Sequence, residues 1–122
     1  MKNLINKQEI GKIGEDIACR YLEKNNYKII CKNYRTKIGE IDIIAQDITK
    51  EIVFIEVKTR QNLNYGYPIE AINKQKLMHI YRTATLYILL NNLEKNNIRF
   101  DAVEVYIANK KAKVRHVKNI GI

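Results

Sequence analysis

Apolar residues recur at three- and four-residue steps through Ile10, Ile13, Gly14, Ile17, Ala18, Tyr21 and Leu22, which predicts an amphipathic helix over Gln8 to Lys24. The segment EKNNY ends it. Three runs rich in β-branched residues follow, YKIICKN (27–33), GEIDIIAQ (39–46) and IVFIEVKT (52–59), each suited to a pleated strand. Apolar residues occupy both faces of the second and third, so the sheet is expected to be covered on both sides. QNLNYGYP is a loop broken by Gly66 and Pro68, after which the helical period returns from about Ile69 to Leu90. Its buried stripe is Ile69, Leu77, Ile80, Ala84, Tyr87 and Ile88. IRFDAVEVYIA and KVRHVKNI then predict two strands of a hairpin joined through NKKA. The order is helix, three strands, helix, two strands, with no repeat, low-complexity tract or linker, so residues 1–122 are expected to form one α/β domain.

A chain of 122 residues buries a core without disulfide or metal staples. Cys19 and Cys31 have no CxxC spacing, and His79 and His116 lie far from them, so reduced structural thiols are expected rather than a zinc site. No apolar run approaches the roughly 20 residues of a membrane span, and MKNLINKQEIGK lacks the apolar core of a secretory signal. The expectation is a cytoplasmic protein with no membrane partner. A formal charge of +9 favours a polyanion, although an anionic surface or an acidic protein would also be attracted.

The acidic residues inside GEIDIIAQDITKEIVFIEVKTR change the picture. If the second and third strands pair about Thr49, Gln46 faces Ile52, Asp42 faces Glu56 and Glu40 faces Lys58, all four charged residues on one side of the sheet. Apolar residues on both faces leave that register unfixed by pattern alone. Two carboxylates at that separation repel unless a proton or cation lies between them, and oxygen ligands suit a hard divalent metal, Mg²⁺ or Mn²⁺. Lys58 beside them would hold a phosphate oxygen or orient an attacking water. The other reading stays open: Lys58 neutralises Glu40 or Glu56 across the hairpin, and Asp42 faces water.

Asp42 followed by Glu56-Val57-Lys58 resembles the PD-(D/E)XK nuclease superfamily, whose core runs helix, three strands, helix, strand. GKIGED, GEIDIIA, VFIEVKTR and YGYPIEAINKQKLMHIYRTATLYI together resemble the YraN family of small bacterial proteins, related to archaeal Holliday junction resolvases. The resemblance implies a restriction-endonuclease-like fold, a mixed sheet flanked by helices. It further implies that Glu15 on the first helix completes the site and that the Val57 carbonyl joins Asp42 and Glu56 as a metal ligand. The superfamily's proline is absent, Ile41 standing before Asp42.

Arg35 and Lys37 precede the acidic strand with Tyr34, Arg60 ends the next, and Tyr65 and Tyr67 flank Gly66, a set suited to phosphate contact and base stacking. Lys74 and Lys76 open the second helix, where the resemblance implies a basic side chain at the site; Lys76 lies nearer the buried stripe. Lys110, Lys111, Lys113, Arg115 and Lys118 form a terminal basic cluster expected to meet backbone, and no base-reading helix motif is present. The function that follows is a Mg²⁺-dependent phosphodiesterase acting on branched or structured DNA, with Glu15, Asp42, Glu56 and Lys58 as catalytic residues. Two-fold junction cutting would call for a homodimer. The rivals are a catalytically silent nucleic-acid-binding module and an accessory protein that docks an acidic partner.

Overall fold

The computed structural model describes residues 6–61 and 73–121. Helix α1 (Lys7–Lys24) starts where the Asn6 side chain accepts the Glu9 N–H at 2.9 Å and donates back to the Glu9 carboxylate, a reciprocal cap. Strands β1 (Lys28–Thr36), β2 (Gly39–Gln46) and β3 (Ile52–Arg60) follow, then α2 (Lys74–Leu90), β4 (Ile98–Ala108) and β5 (Lys111–Val117). Both helices end on an Asn-Asn pair whose second member is left-handed, Asn26 (φ 69) and Asn92 (φ 56). The next N–H then reaches back to a carbonyl of the last turn, Tyr27 to Leu22 and Leu93 to Ile88, each at 2.9 Å.

Several boundaries differ from the expectation, among them the end of the last strand, at Val117 rather than Ile120. β1 runs on to Thr36, because the tight turn to Gly39 lets Tyr34 and Arg35 keep pairing with β2. α2 begins at Lys74 rather than near Ile69: Asn73 is extended and caps the helix by accepting the Lys76 N–H at 2.8 Å, while Ile69 lies outside the described residues. β5 begins at Lys111 because Asn109 and Lys110 alone make the turn, both at positive φ, so Lys111 and Ala112 already pair with Ala108 and Ile107.

The sheet order is β1-β2-β3-β4-β5, antiparallel except for the parallel β3–β4 pair that α2 connects. α1 covers one face through Ala18, Cys19 and Leu22 against Ile43, Ala45, Val53, Ile55, Val103 and Val105. α2 covers the other through Ile80, Ala84 and Tyr87 against Ile41, Ile44, Phe54 and Phe100. This is an α/β core with helices on both sides of a mixed sheet, the layering expected from the sequence. Cys19 and Cys31 are free thiols packed on opposite faces. No described helix is long and apolar enough to cross a membrane.

A buried polar network that strand patterning did not reveal ties β4 to its surroundings on the α1 face. Arg99 donates Nε and Nη2 to Asp101, each at 2.9 Å, Nη1 to Asp47 and Glu51 in the β2–β3 turn, and Nη2 to the Tyr27 hydroxyl. His116 Nε2 lies 2.7 Å from Asp101 Oδ2, and the Asn119 N–H reaches Oδ1. Asp101 is fully buried, yet each oxygen has partners, as a charge at that depth requires.

Candidate active site

β2 and β3 pair with Gln46 opposite Ile52 and Ile43 opposite Ile55, the register expected from the turn at Thr49. The ladder stops there. At the next step Asp42 turns its side chain inward, and Oδ2 accepts the Val57 N–H at 2.8 Å, satisfying a donor that a further rung would have used. The strand also changes face at this residue. Ile43 and Ala45 pack towards α1, but Ile41 packs with Ile44 towards α2, so strict alternation fails between 41 and 43.

That switch corrects one expectation. Glu40 does not share a face with Lys58; it stands over the α1 side, where its Oε1 meets Arg35 Nε at 3.2 Å. Glu56 and Lys58 alternate with Val57, which packs against the α1-side core, and so belong to the α2 side. Asp42 sits at the seam between the two sides and interacts with carboxylates on both.

On the α2 side Glu56 is only 7% exposed, with Lys76 Nζ 3.6 Å from its Oε2. Burial, and next the charge of Asp42 together with the hydrogen bond between the two side chains, push the Glu56 carboxyl up to about 8; Lys76 and Lys58 pull the other way. On the α1 side, burial and the charge of Asp42 raise the Glu15 carboxyl, opposed by a hydrogen bond with Asn33. Asn33 is left-handed (φ 52) and faces Asp42 between the Lys32–Ile43 and Tyr34–Ile41 pairs. Gly14 seats the helix: a Cβ there would overlap the Thr59 side chain, so α1 lies close on β3 and presents Glu15 to the cleft.

The cleft so formed measures about 380 Å³ and is lined by Gly11, Glu15, Asp42, Glu56, Val57 and Lys58, with Lys7 and Gln61 at its border. All four expected catalytic residues and the expected metal ligands therefore lie together, and Lys76 reaches them from α2. Among the described residues no three acidic, histidine or cysteine side chains converge as a ready metal cage. The donors are two carboxylates and a backbone carbonyl, a set that Mg²⁺ accepts because it keeps several waters. A carboxyl held up to about 8 beside a second one is the electrostatic fit: the pair needs a proton or a cation.

The other expected contact residues lie as follows. Arg35 is spent on Glu40, and Lys37 is exposed in the β1–β2 turn. Arg60 turns to the buried Glu104, Nε to Oε2 at 3.8 Å, and Arg115 of the terminal basic cluster binds the same carboxylate. Tyr65 and Tyr67 lie outside the described residues. Lys7, Asn33, Gln61 and Glu104 were missed; Asn before a tyrosine-arginine pair carries no local sign of left-handed backbone.

Residues 14–105 match the model of the uncharacterised protein family UPF0102. The chain belongs to that family. It is the YraN family that the sequence segments resemble. A UPF0102 protein of Clostridioides difficile is 46% identical over 115 residues, covering 94% of this chain and 98% of the relative. One from Caldanaerobacter subterraneus subsp. tengcongensis is 45% identical over 118 residues, covering 94% and 96%. Among solved structures, the fold is similar to a repair endonuclease from Pyrococcus abyssi (TM-score 0.37, 16% identity, 88% of this chain and 39% of that one). It is similar also to EndoMS in its complex with double-stranded DNA (TM-score 0.38, 15% identity, 81% and 36%). This UPF0102 chain thus spans less than two fifths of either solved chain.

Proposed function

We propose that this UPF0102 protein is a cytoplasmic, metal-dependent DNA phosphodiesterase acting on branched or otherwise structured DNA. The observation that carries the reading is the meeting of Glu15, Asp42, Glu56 and Lys58 in one cleft, with Glu56 buried against a second carboxylate and Lys76 Nζ 3.6 Å from its Oε2. Mg²⁺ or Mn²⁺ held by Asp42, Glu56 and the Val57 carbonyl would supply phosphate charge neutralisation and acidify the attacking water.

The chain's own groups do the rest. Lys58 orients the water or a phosphate oxygen, its ammonium donating the hydrogen bond. Lys76 leaves Glu56 to meet the phosphate. Glu15 accepts a hydrogen bond from the water, its raised affinity for a proton suiting that role. The surplus of cations gives sequence-independent attachment to backbone. A homodimer would present two such clefts to a two-fold junction.

Cutting assays on linear duplex, single-stranded and four-way DNA, with Mg²⁺, Mn²⁺ or chelator, test the reading. Cleavage of the four-way substrate in metal alone is expected. DNA binding with no cutting of any substrate would leave a silent binding module, and preferential capture of an acidic protein would leave an accessory role.

A further inference from the structure

Two openings flank Glu15 on α1. One is the cleft that holds Asp42, Glu56 and Lys58; the other, about 420 Å³, lies between α1 and the β1–β2 ladder. Glu15 and Gly11 line both. Gln8, Lys12 and Glu15 follow one another at steps of four and three and so form one wall of the second opening, with Asn33 and Arg35 of β1 and Glu40 of β2 opposite.

Gly11 marks the border between the two. A glycine inside a helix costs stability relative to alanine, so its place there calls for a reason. At Gly14 packing supplies one, because a Cβ would overlap the Thr59 side chain; at Gly11 a Cβ would meet nothing within 4 Å among the described residues. What the missing side chain leaves is bare helix backbone on the rim common to both openings, and close approach of a ligand to backbone is a use that glycine serves. The second opening also differs from the cleft in charge. Lys12 and Arg35 balance Glu15 and Glu40, and Arg35 Nε already meets Glu40 Oε1 at 3.2 Å, so no surplus of positive charge is there to hold a phosphate. Its polar groups suit an uncharged ligand. Gln8 and Asn33 bring side-chain amides; Asn33 bonds Glu15, and an amide bonded once still has a second N–H and a carbonyl oxygen for the edge of a base. A volume of about 420 Å³ lies within the range of small-ligand clefts, about 300–1,000 Å³.

We propose that this second opening takes the sugar and base next to the scissile phosphate, with the DNA strand crossing α1 over Gly11. A base held there is out of its stack and its pair, so the substrate class is DNA with unpaired nucleotides at the cut; the inference rests on the nuclease reading. Two fluorescent single strands of equal length, one of ordinary nucleotides and one of abasic sugar-phosphate units, carry the same phosphates and so separate the bases from backbone attraction. Titrated in chelator, wild-type protein should bind the ordinary strand about tenfold more tightly. Gly11→Leu starts from open space, leaves every charge in place and fills the crossing; on protein shown by its melt to be folded, the preference should be lost. Asn33→Gly keeps the left-handed backbone (φ 52) and removes an amide, and should lower the preference several-fold. No preference in wild type, or a full preference in folded Gly11→Leu, overturns the inference; if that variant does not fold, a full preference in Asn33→Gly does. A preference that the variants lose, in a wild-type protein that cuts no DNA, ends the nuclease reading and leaves the opening as a nucleoside site. Wild-type protein that binds neither strand overturns the inference, and if it also fails to bind four-way DNA the nuclease reading falls with it.

Discussion

Asp42 Oδ2 accepts the backbone N–H of Val57 at 2.8 Å, in the position where the β2–β3 ladder would otherwise have continued. One carboxylate therefore does two things: it satisfies a strand donor, and its charge opposes the ionisation of Glu56. Asn and Ala at position 42 separate them. Asp42→Asn keeps an acceptor for Val57 and removes the charge that opposes ionisation of Glu56, so stability in chelator should stay level or rise, most at high pH. Asp42→Ala leaves the N–H unpaired and should cost about 1–3 kcal/mol. Mg²⁺ should raise the melting temperature of wild type and do so far less for either variant. A clear loss of stability in Asp42→Asn, without any Mg²⁺ effect on wild type, would show an ion pair rather than a metal site.

Glu56 gives the site a pH signature. Its folded carboxyl, pushed up to about 8 from 4.5, binds a proton that the unfolded chain releases across that window. The folded state thus holds more protons between pH 4.5 and 8, and stability falls as pH rises through the window, then levels. Glu56→Gln lacks this dependence. The wild-type minus variant difference from denaturant melts in chelator should decline with pH at no more than about 1.4 kcal/mol per unit. A flat difference would mean that Glu56 is not held protonated.

Gly14 and Gly11 predict opposite outcomes for the same substitution. Gly11→Ala meets nothing within 4 Å and should stabilise α1 by roughly 0.5–1 kcal/mol. Gly14→Ala runs into Thr59 and should cost about 1–3 kcal/mol as the helix lifts from β3. Because Glu15 rides on that helix, cutting should fall in Gly14→Ala beyond what the loss of folded protein explains. Melts and specific activity on the same samples check both.

Much of the site was legible because its residues are close in sequence. A five-residue connection between Gln46 and Ile52 fixes the register, and the register brings Asp42 to Glu56. The face switch at Asp42 was not legible. With isoleucine at 41, 43 and 44, a strand apolar on both faces looks the same whether alternation continues or breaks. Charges in IRFDAVEVYIA were equally opaque: Arg99 and Asp101 pair with each other, and they and Glu104 find their further partners in other elements. The start of α2 was overrun because Ile69 and Ile72 happen to extend its apolar period past the Asn73 cap.

Asp101 carries the structural counterpart to the site. Burial alone would raise its carboxyl, but hydrogen bonds from His116, Arg99 and the Asn119 N–H hold it below the usual carboxylate range. A depressed carboxyl stabilises the fold above its unfolded pKa, near 3.8, and that contribution is lost as pH falls below it. Asp101→Asn leaves Arg99 and His116 without their shared anion and should cost about 3–5 kcal/mol at neutral pH. The gap between wild type and variant should narrow in acid melts below pH 4; a gap that stays constant would place the loss in packing instead.

A variant at Lys58 would separate chemistry from attachment in the proposed function. It stands two residues past Glu56 on the same face and lines the cleft, whereas attachment is spread over the many cations of a chain at +9. Lys58→Ala should then lose cutting by about a hundredfold or more while DNA affinity in chelator changes by only a few-fold, since one of many backbone contacts is removed. The salt dependence of binding should shift by no more than about one contact. Single-turnover cutting and binding titrations on the same four-way DNA give both numbers. Equal losses in the two would reassign Lys58 to phosphate anchoring, and unimpaired cutting would remove it from the mechanism and leave Lys76 as the cation nearest the two carboxylates.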